Sequence, residues 1–112
     1  MPWVQMTTAK TLDGNQRKSI AGGVAESLNK HIDKDPAGVF VSFVTADEFY
    51  WSGSPSDNAA MFDLRWIGEF SAEQKKAIAA DICGTLAPSV GIDTKKTRVV
   101  FTSKTSDDWG RV

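Results

Sequence analysis

The sequence predicts an α/β (α+β) fold in which a β-α-β unit occurs twice, giving a four-stranded mixed sheet with two helices on one face. Three observations carry this expectation. Apolar residues alternate with a period of two in short runs, recur at spacings of three and four in two longer runs, and the order strand-helix-strand repeats after a turn-rich segment at residues 52–58. At 112 residues, with 41% hydrophobic and 24% charged side chains, the chain is large enough for one core and lacks the bias of a disordered polypeptide. Residues 1–112 are therefore expected to form a single domain, with halves at about residues 2–51 and 59–103.

Residues 2–8 put Val4 and Met6 on one side and Trp3, Gln5 and Thr7 on the other, which is the pattern of a strand. Asp13 with Gln16 three positions on reads as a helix start, and Ile20, Ala21, Val24, Ala25, Leu28 and Ile32 then mark one helical stripe over about residues 14–31. Gly22 and Gly23 each cost about 1 kcal/mol of helix propensity against Ala, and read as room for close approach to the sheet. Residues 38–44, β-branched and aromatic after a proline, form the second strand.

In the second half Ala60, Phe62, Leu64 and Trp66 alternate with Met61, Asp63, Arg65 and Ile67, giving a third strand. Ser71 and Gln74 make a second capping pattern, followed by Ile78, Ala79, Ile82, Cys83 and Leu86 on one stripe; Pro88 and Gly91 are expected to stop that helix. Residues 98–102 form the fourth strand, and the tail beyond is polar around Trp109. Right-handed crossovers place both helices on one side of the sheet. Apolar residues on the bare side, such as Trp3 and Val100, predict an oligomer.

Composition excludes several function classes. The net charge is -1, with 13 basic and 14 acidic residues interspersed, so no basic stripe exists to neutralise a nucleic-acid backbone. No apolar run approaches the roughly 20 residues of a membrane span, and the start lacks the pattern of a signal peptide, so no membrane partner and a cytoplasmic location are expected. Cys83 is the sole cysteine and His31 the sole histidine, which rules out an intrachain disulfide and leaves no metal-ligand set. Ser52-Gly53-Ser54 does not match a nucleophile elbow.

Met-Pro opening strand one, Lys34 just before strand two, Ser52-Gly53 after it, Ile67-Gly68 closing strand three and Cys83-Gly84-Thr85-Leu86-Ala87 followed by Ile92 occur in an order and spacing that resembles the macrophage migration inhibitory factor branch of the tautomerase superfamily. The resemblance spans nearly the whole chain. It implies a tautomerase fold, a homotrimer with sites between subunits, and keto-enol tautomerisation of a 2-oxo acid such as phenylpyruvate without metal or organic cofactor. It also implies roles: Pro2, freed by removal of Met1, as general base, Lys34 as ligand of the substrate carboxylate or carbonyl oxygen, the Ile67 backbone amide as donor to the carboxylate, and Trp109 as a candidate substrate contact.

Residue chemistry agrees with the role implied for Pro2. An α-amino group has a reference pKa of about 8, and an apolar pocket or a nearby cation lowers it, leaving a secondary amine able to take a proton from carbon beside a carbonyl. Trp3, Phe40, Tyr50, Trp51 and Trp109 are candidates for an aromatic wall. In strand four the branch's human-type members carry a tyrosine and an asparagine where this chain aligns Arg98 and Val100; Arg98, favoured over Arg65 as a substrate ligand, would suit a dicarboxylate or more acidic substrate. The paired arginines of malonate semialdehyde decarboxylase relatives are replaced after strand three by Gly68-Glu69-Phe70, although the tail around Trp109 is similar to theirs.

Each residue also has an ordinary reading. Proline follows the initiator methionine in many proteins, Lys34 sits between Asp33 and Asp35 as a solvated loop lysine would, and strand arginines often pair with a neighbour such as Asp63. His31 is expected to cap a helix C-terminus and Cys83 to be a small core residue. Three functions follow: a tautomerase with Pro2 as base, a decarboxylase or hydratase (dehalogenase-like) of a small acid with protonated Pro2 as general acid, or a non-catalytic trimeric binding protein.

Overall fold

The computed structural model describes residues 2–110. β1 (Trp3–Thr8), α1 (Gly14–Ile32) and β2 (Phe40–Thr45) make the first β-α-β unit. β5 (Ala60–Ile67), α2 (Ala72–Asp81) and β6 (Thr97–Lys104) make the second. The sheet has the order β2-β1-β5-β6: β1 runs parallel to β2 and β5 parallel to β6, while β1 and β5 meet antiparallel. The two units thus join through their first strands, which makes the sheet mixed as expected.

Both helices begin where the sequence places them. The Asp13 carboxylate accepts from the Gln16 backbone N–H at 2.8 Å while the Gln16 side chain caps the Asp13 N–H, and Ser71 with Gln74 repeats the device. α1 stops one residue later than expected, where Asp33 takes a left-handed conformation (φ 56°) and returns its N–H to the Asn29 carbonyl at 3.1 Å.

Val4, Met6, Phe62, Leu64 and Trp66 from the sheet interleave with Ile20, Val24 and Leu28 of α1 and Ile78 and Ile82 of the second helix, and all are fully buried. Each such side chain contributes roughly 1.5–3 kcal/mol by leaving water. Because every strand alternates, the opposite sheet face receives the remaining residues, among them Trp3, Phe40, Val44, Met61, Arg65 and Val100. Of these, Phe40, Val44, Met61 and Val100 are large, apolar and exposed, as the bare face requires.

Two local expectations are corrected. Gly23 serves contact between helices, since a Cβ there would collide with the Leu86 side chain, whereas a Cβ on Gly22 would meet nothing within 4 Å. The segment expected to be turn throughout is a hairpin, β3 (Tyr50–Trp51) with β4 (Ser54–Pro55). Ser52 (φ 51°) and Gly53 (φ 79°) supply the two positive φ angles that a tight hairpin turn demands. The second helix ends at Ser89, between Pro88 and Gly91 as expected, after a π turn (Ile82–Leu86) that leads into α3 (Ala87–Ser89). Pro88 is tolerated there because the regular i to i−4 series is already interrupted. Gly91 (φ 82°) then turns the chain.

Candidate functional site

One end of the sheet gathers most of the residues singled out by sequence. The Pro2 carbonyl accepts the Phe40 N–H at 3.0 Å, which anchors the start of β1 to β2, and the Pro2 side chain is fully buried. Trp3 pairs with Arg65 in the antiparallel register, so one step further Pro2 lies across from Trp66. Trp66 is itself buried, donates its indole N–H to Ser103 Oγ at 3.1 Å, and packs edge-on against Phe70 at 4.5 Å between ring centres. Met1 lies outside the described residues.

Lys34 reaches the same corner from the turn after α1. The left-handed Asp33 redirects the chain, the Lys34 N–H returns to the Leu28 carbonyl at 3.3 Å, and the side chain extends across the end of β5. Its Nζ donates to the Ile67 carbonyl at 3.2 Å and lies 5.3 Å from the centre of the Phe70 ring. The group of Ile67 that meets Lys34 is therefore its carbonyl.

Trp109 arrives from the opposite direction. A short 3₁₀ turn (Ser106–Asp108), capped reciprocally by Thr105 and Asp108, carries it back over Trp3. The hydrogen bonds from the Thr105 backbone and hydroxyl hold the Asp108 carboxyl below its ordinary range. Trp3 and Trp109 are common to two adjoining clefts on the open sheet face. One is also lined by Phe40, Val41 and Ser42, and is apolar apart from Ser42, whose Oγ accepts the Trp3 indole N–H at 2.9 Å. The other contains Arg65, Lys104, Asp108 and Gly110. The Arg65 guanidinium lies 5.0 Å from the Trp3 ring centre and donates to Asp63 at 2.9 Å.

Arg98 is not brought to this end within one chain. It pairs with Met61, which pairs with Thr7, so it sits about 17 Å along the strands from the level of Trp66 and Ser103. Its guanidinium lies 5.1 Å from the Trp51 ring centre and donates to the carbonyls of Thr97 at 2.8 Å and Lys95 at 3.2 Å. Of the five candidate wall aromatics, Trp3, Phe40 and Trp109 line the clefts, while Tyr50 and Trp51 belong to the hairpin. The cations that line the cleft beside Trp3 and Trp109 are Arg65 and Lys104. Alternation did put Arg65 on the face of β5 opposite the core; the antiparallel β1–β5 pairing that sets it on Trp3 was the missing piece.

Away from this corner His31 does more than cap a helix. Its Nε2 lies 2.9 Å from Asp81 Oδ2, which also accepts from Ser27 Oγ at 2.7 Å, so α1 is bound to α2 through one carboxylate oxygen. Burial pushes the Asp81 carboxyl up, but the contacts with Ser27 and His31 and the charge of Lys30 outweigh it and leave the group below its ordinary value. Cys83 is half-buried, and burial pushes its thiol up despite the opposing charge of Arg98, which makes it a poor nucleophile. Among the described residues no three His, Cys, Asp or Glu side chains cluster as metal ligands, and no helix is long and apolar enough to cross a membrane.

The architecture is shared with solved tautomerase-superfamily structures. Macrophage migration inhibitory factor of Toxoplasma gondii superposes with a TM-score of 0.87 at 16% identity, covering 97% of this chain and 95% of that one. The macrophage migration inhibitory factor-like protein of Entamoeba histolytica gives 0.85 at 20% identity over 99% of this chain and 95% of that one. N1, a member of the cis-3-chloroacrylic acid dehalogenase family, gives 0.86 at 13% identity over 97% of this chain and 79% of that one. No protein-family profile and no curated protein matches the chain by sequence.

Proposed function

Starting from the tautomerase-superfamily fold, we propose that this chain is a cofactor-independent keto-enol tautomerase acting on a 2-oxo acid, with Pro2 as general base once Met1 is removed. The observation that carries the proposal is the approach of the Lys34 ammonium to the end of β5, at 3.2 Å from the Ile67 carbonyl, at the sheet end where the Pro2 side chain is buried at the start of β1. An apolar wall and a cation both disfavour the protonated amine, so each lowers the Pro2 pKa and favours a base over an acid.

In the forward direction Pro2 takes a proton from the carbon next to the 2-oxo group. The C–H electron pair moves into the carbon skeleton and leaves an enolate oxygen. Lys34, whose ammonium has two donors beyond the one on the Ile67 carbonyl, holds the carboxylate and the developing charge, and the Ile67 amide donates to the carboxylate. The Pro2 ammonium then delivers its proton to the enolate oxygen, giving the enol. Trp109, with Trp3 and Phe40, shelters the remainder of the substrate. No metal or organic cofactor is needed.

The exposed apolar side chains of the open sheet face support a homotrimer, and Arg98 enters a site only where a neighbouring copy carries it there. The test uses protein whose intact mass proves loss of Met1. It should interconvert phenylpyruvate tautomers faster than Pro2→Ala, with the rate lost as pH falls through the Pro2 pKa. Equal rates in the two proteins refute the assignment; loss as pH rises makes Pro2 an acid, as decarboxylation or hydration requires.

A further inference from the structure

We infer that Phe70 is a positioning residue, whose ring holds the Lys34 ammonium at the end of β5 where it takes the substrate carboxylate. The inference rests on the role given to Lys34 above, and adds how a flexible cation is kept ready for that role.

The stretch after β5, Gly68-Glu69-Phe70, brings no cation to this corner and supplies a ring instead. Gly68 makes the turn. Its φ of 110° is one that other residues rarely adopt, its N–H donates to the Lys104 carbonyl at 3.0 Å, and the Phe70 ring folds back to 3.6 Å from where a Cβ would stand. That ring meets the buried Trp66 at 4.5 Å between centres, with planes 67° apart, and the next residue, Ser71, caps α2. Phe70 is thus fixed by its neighbours before any ligand arrives.

Lys34 is fixed only at its root. Its N–H returns to the Leu28 carbonyl at 3.3 Å, its carbonyl accepts from Asn29 Nδ2 at 3.2 Å, and Gln74 Nε2 reaches from α2 to the His31 carbonyl at 3.3 Å. The four-carbon stem beyond has many rotamers, which a ligand would otherwise have to freeze. Two contacts limit it: the Ile67 carbonyl at 3.2 Å from Nζ, and the Phe70 ring, with Nζ 5.3 Å from its centre. They differ in kind. The carbonyl takes one N–H, whereas the ring attracts the charge as a whole through its electron-rich face and leaves donors free for a carboxylate. Lys34 and Phe70 are both half-buried, so this attraction acts with water partly excluded. Ordering the cation in the folded protein, ahead of binding, strengthens its hold on the carboxylate.

The test replaces Phe70, in Met1-free protein, by phenylalanines carrying one, two and three ring fluorines, which withdraw charge from the ring face at nearly constant shape. kcat/KM for phenylpyruvate should fall stepwise, by about three- to tenfold over the series, the range a cation–π contact supports. Phe70→Leu should match the far end of the series and Phe70→Tyr should stay near wild type. In Lys34→Met the same fluorines should change nothing. A series that is flat, or that falls equally with and without Lys34 as mere packing on Trp66 would require, overturns the inference.

Calorimetric titration of Pro2→Ala with phenylpropanoate, an unreactive carboxylate, separates the two proposals. Affinity that falls along the series only when Lys34 is present, in a protein where Pro2→Ala is as active as wild type, upholds Phe70 and rejects the base. Activity that depends on Pro2, with affinity and kcat/KM flat along the series, upholds the base and rejects Phe70.

Discussion

Lys34 Nζ lies 3.2 Å from the Ile67 carbonyl, so a residue from the turn after α1 is tied to the last residue of β5, in the other half of the chain. The link fixes a cation at the corner where β1 begins. The ammonium has three donors, so a ligand can take Lys34 while the bond to Ile67 persists.

Lys34→Met removes that cation while keeping the stem that lies against Phe70. Hydrogen bonds to charged groups are worth about 1.5–3 kcal/mol, so kcat/KM for a 2-oxo acid should fall roughly ten- to hundredfold. Thermal unfolding should change little. An unchanged kcat/KM would remove Lys34 from the site.

Asp81 links stability to acid. Its carboxyl is held below the ordinary range in the folded protein, so the unfolded chain binds the proton more readily. The stabilisation is present above the ordinary carboxylate pKa of about 4 and is lost as pH falls through the lower folded value. Denaturant titrations should show Asp81→Asn less stable than wild type at neutral pH, with the gap closing below about pH 4. A gap that stays constant across this range contradicts the argument.

The paired glycines of α1 should separate cleanly. Gly22→Ala meets nothing and should stabilise by about 0.5–1 kcal/mol through helix propensity. Gly23→Ala forces the Leu86 side chain aside, and overpacking of roughly 1–3 kcal/mol should cancel or reverse the same gain. Urea midpoints of the two variants decide it, and the Gly23→Ala penalty should vanish when Leu86 is also Ala.

A charge on the open sheet face tests assembly. Val100 is 46% exposed in the single chain, and Val100→Asp would bury a carboxylate in any interface that covers it. Light scattering should find wild type trimeric and Val100→Asp shifted to smaller species. A trimer that tolerates the substitution does not use this part of the face.

The sequence made the local structure legible because its signals act within a few residues. The capping pairs Asp13–Gln16 and Ser71–Gln74, the alternation of residues 60–67 and the left-over apolar face all follow from spacing alone. Pairing between the halves was not legible. It brings Arg65 to Trp3, sends Arg98 to the far end, and joins His31 to an Asp81 fifty positions away. No local rule encodes such contacts. The meeting of Lys34 with Ile67 was legible only through family resemblance, as order along the chain rather than as physics.

The π turn at Ile82–Leu86 has a consequence for how this chain tolerates change in length. Ala87 follows Ile78 by about two and a half turns of a regular helix, which would put the two on opposite sides, yet both are fully buried in the same core. The wide turn absorbs one surplus residue and restores the face. Deleting a single residue there, such as Gly84, would close the wide turn but set Pro88 inside a regular i to i−4 series, at a cost of about 3 kcal/mol. The surplus residue thus lets a proline and a buried alanine share the end of one helix.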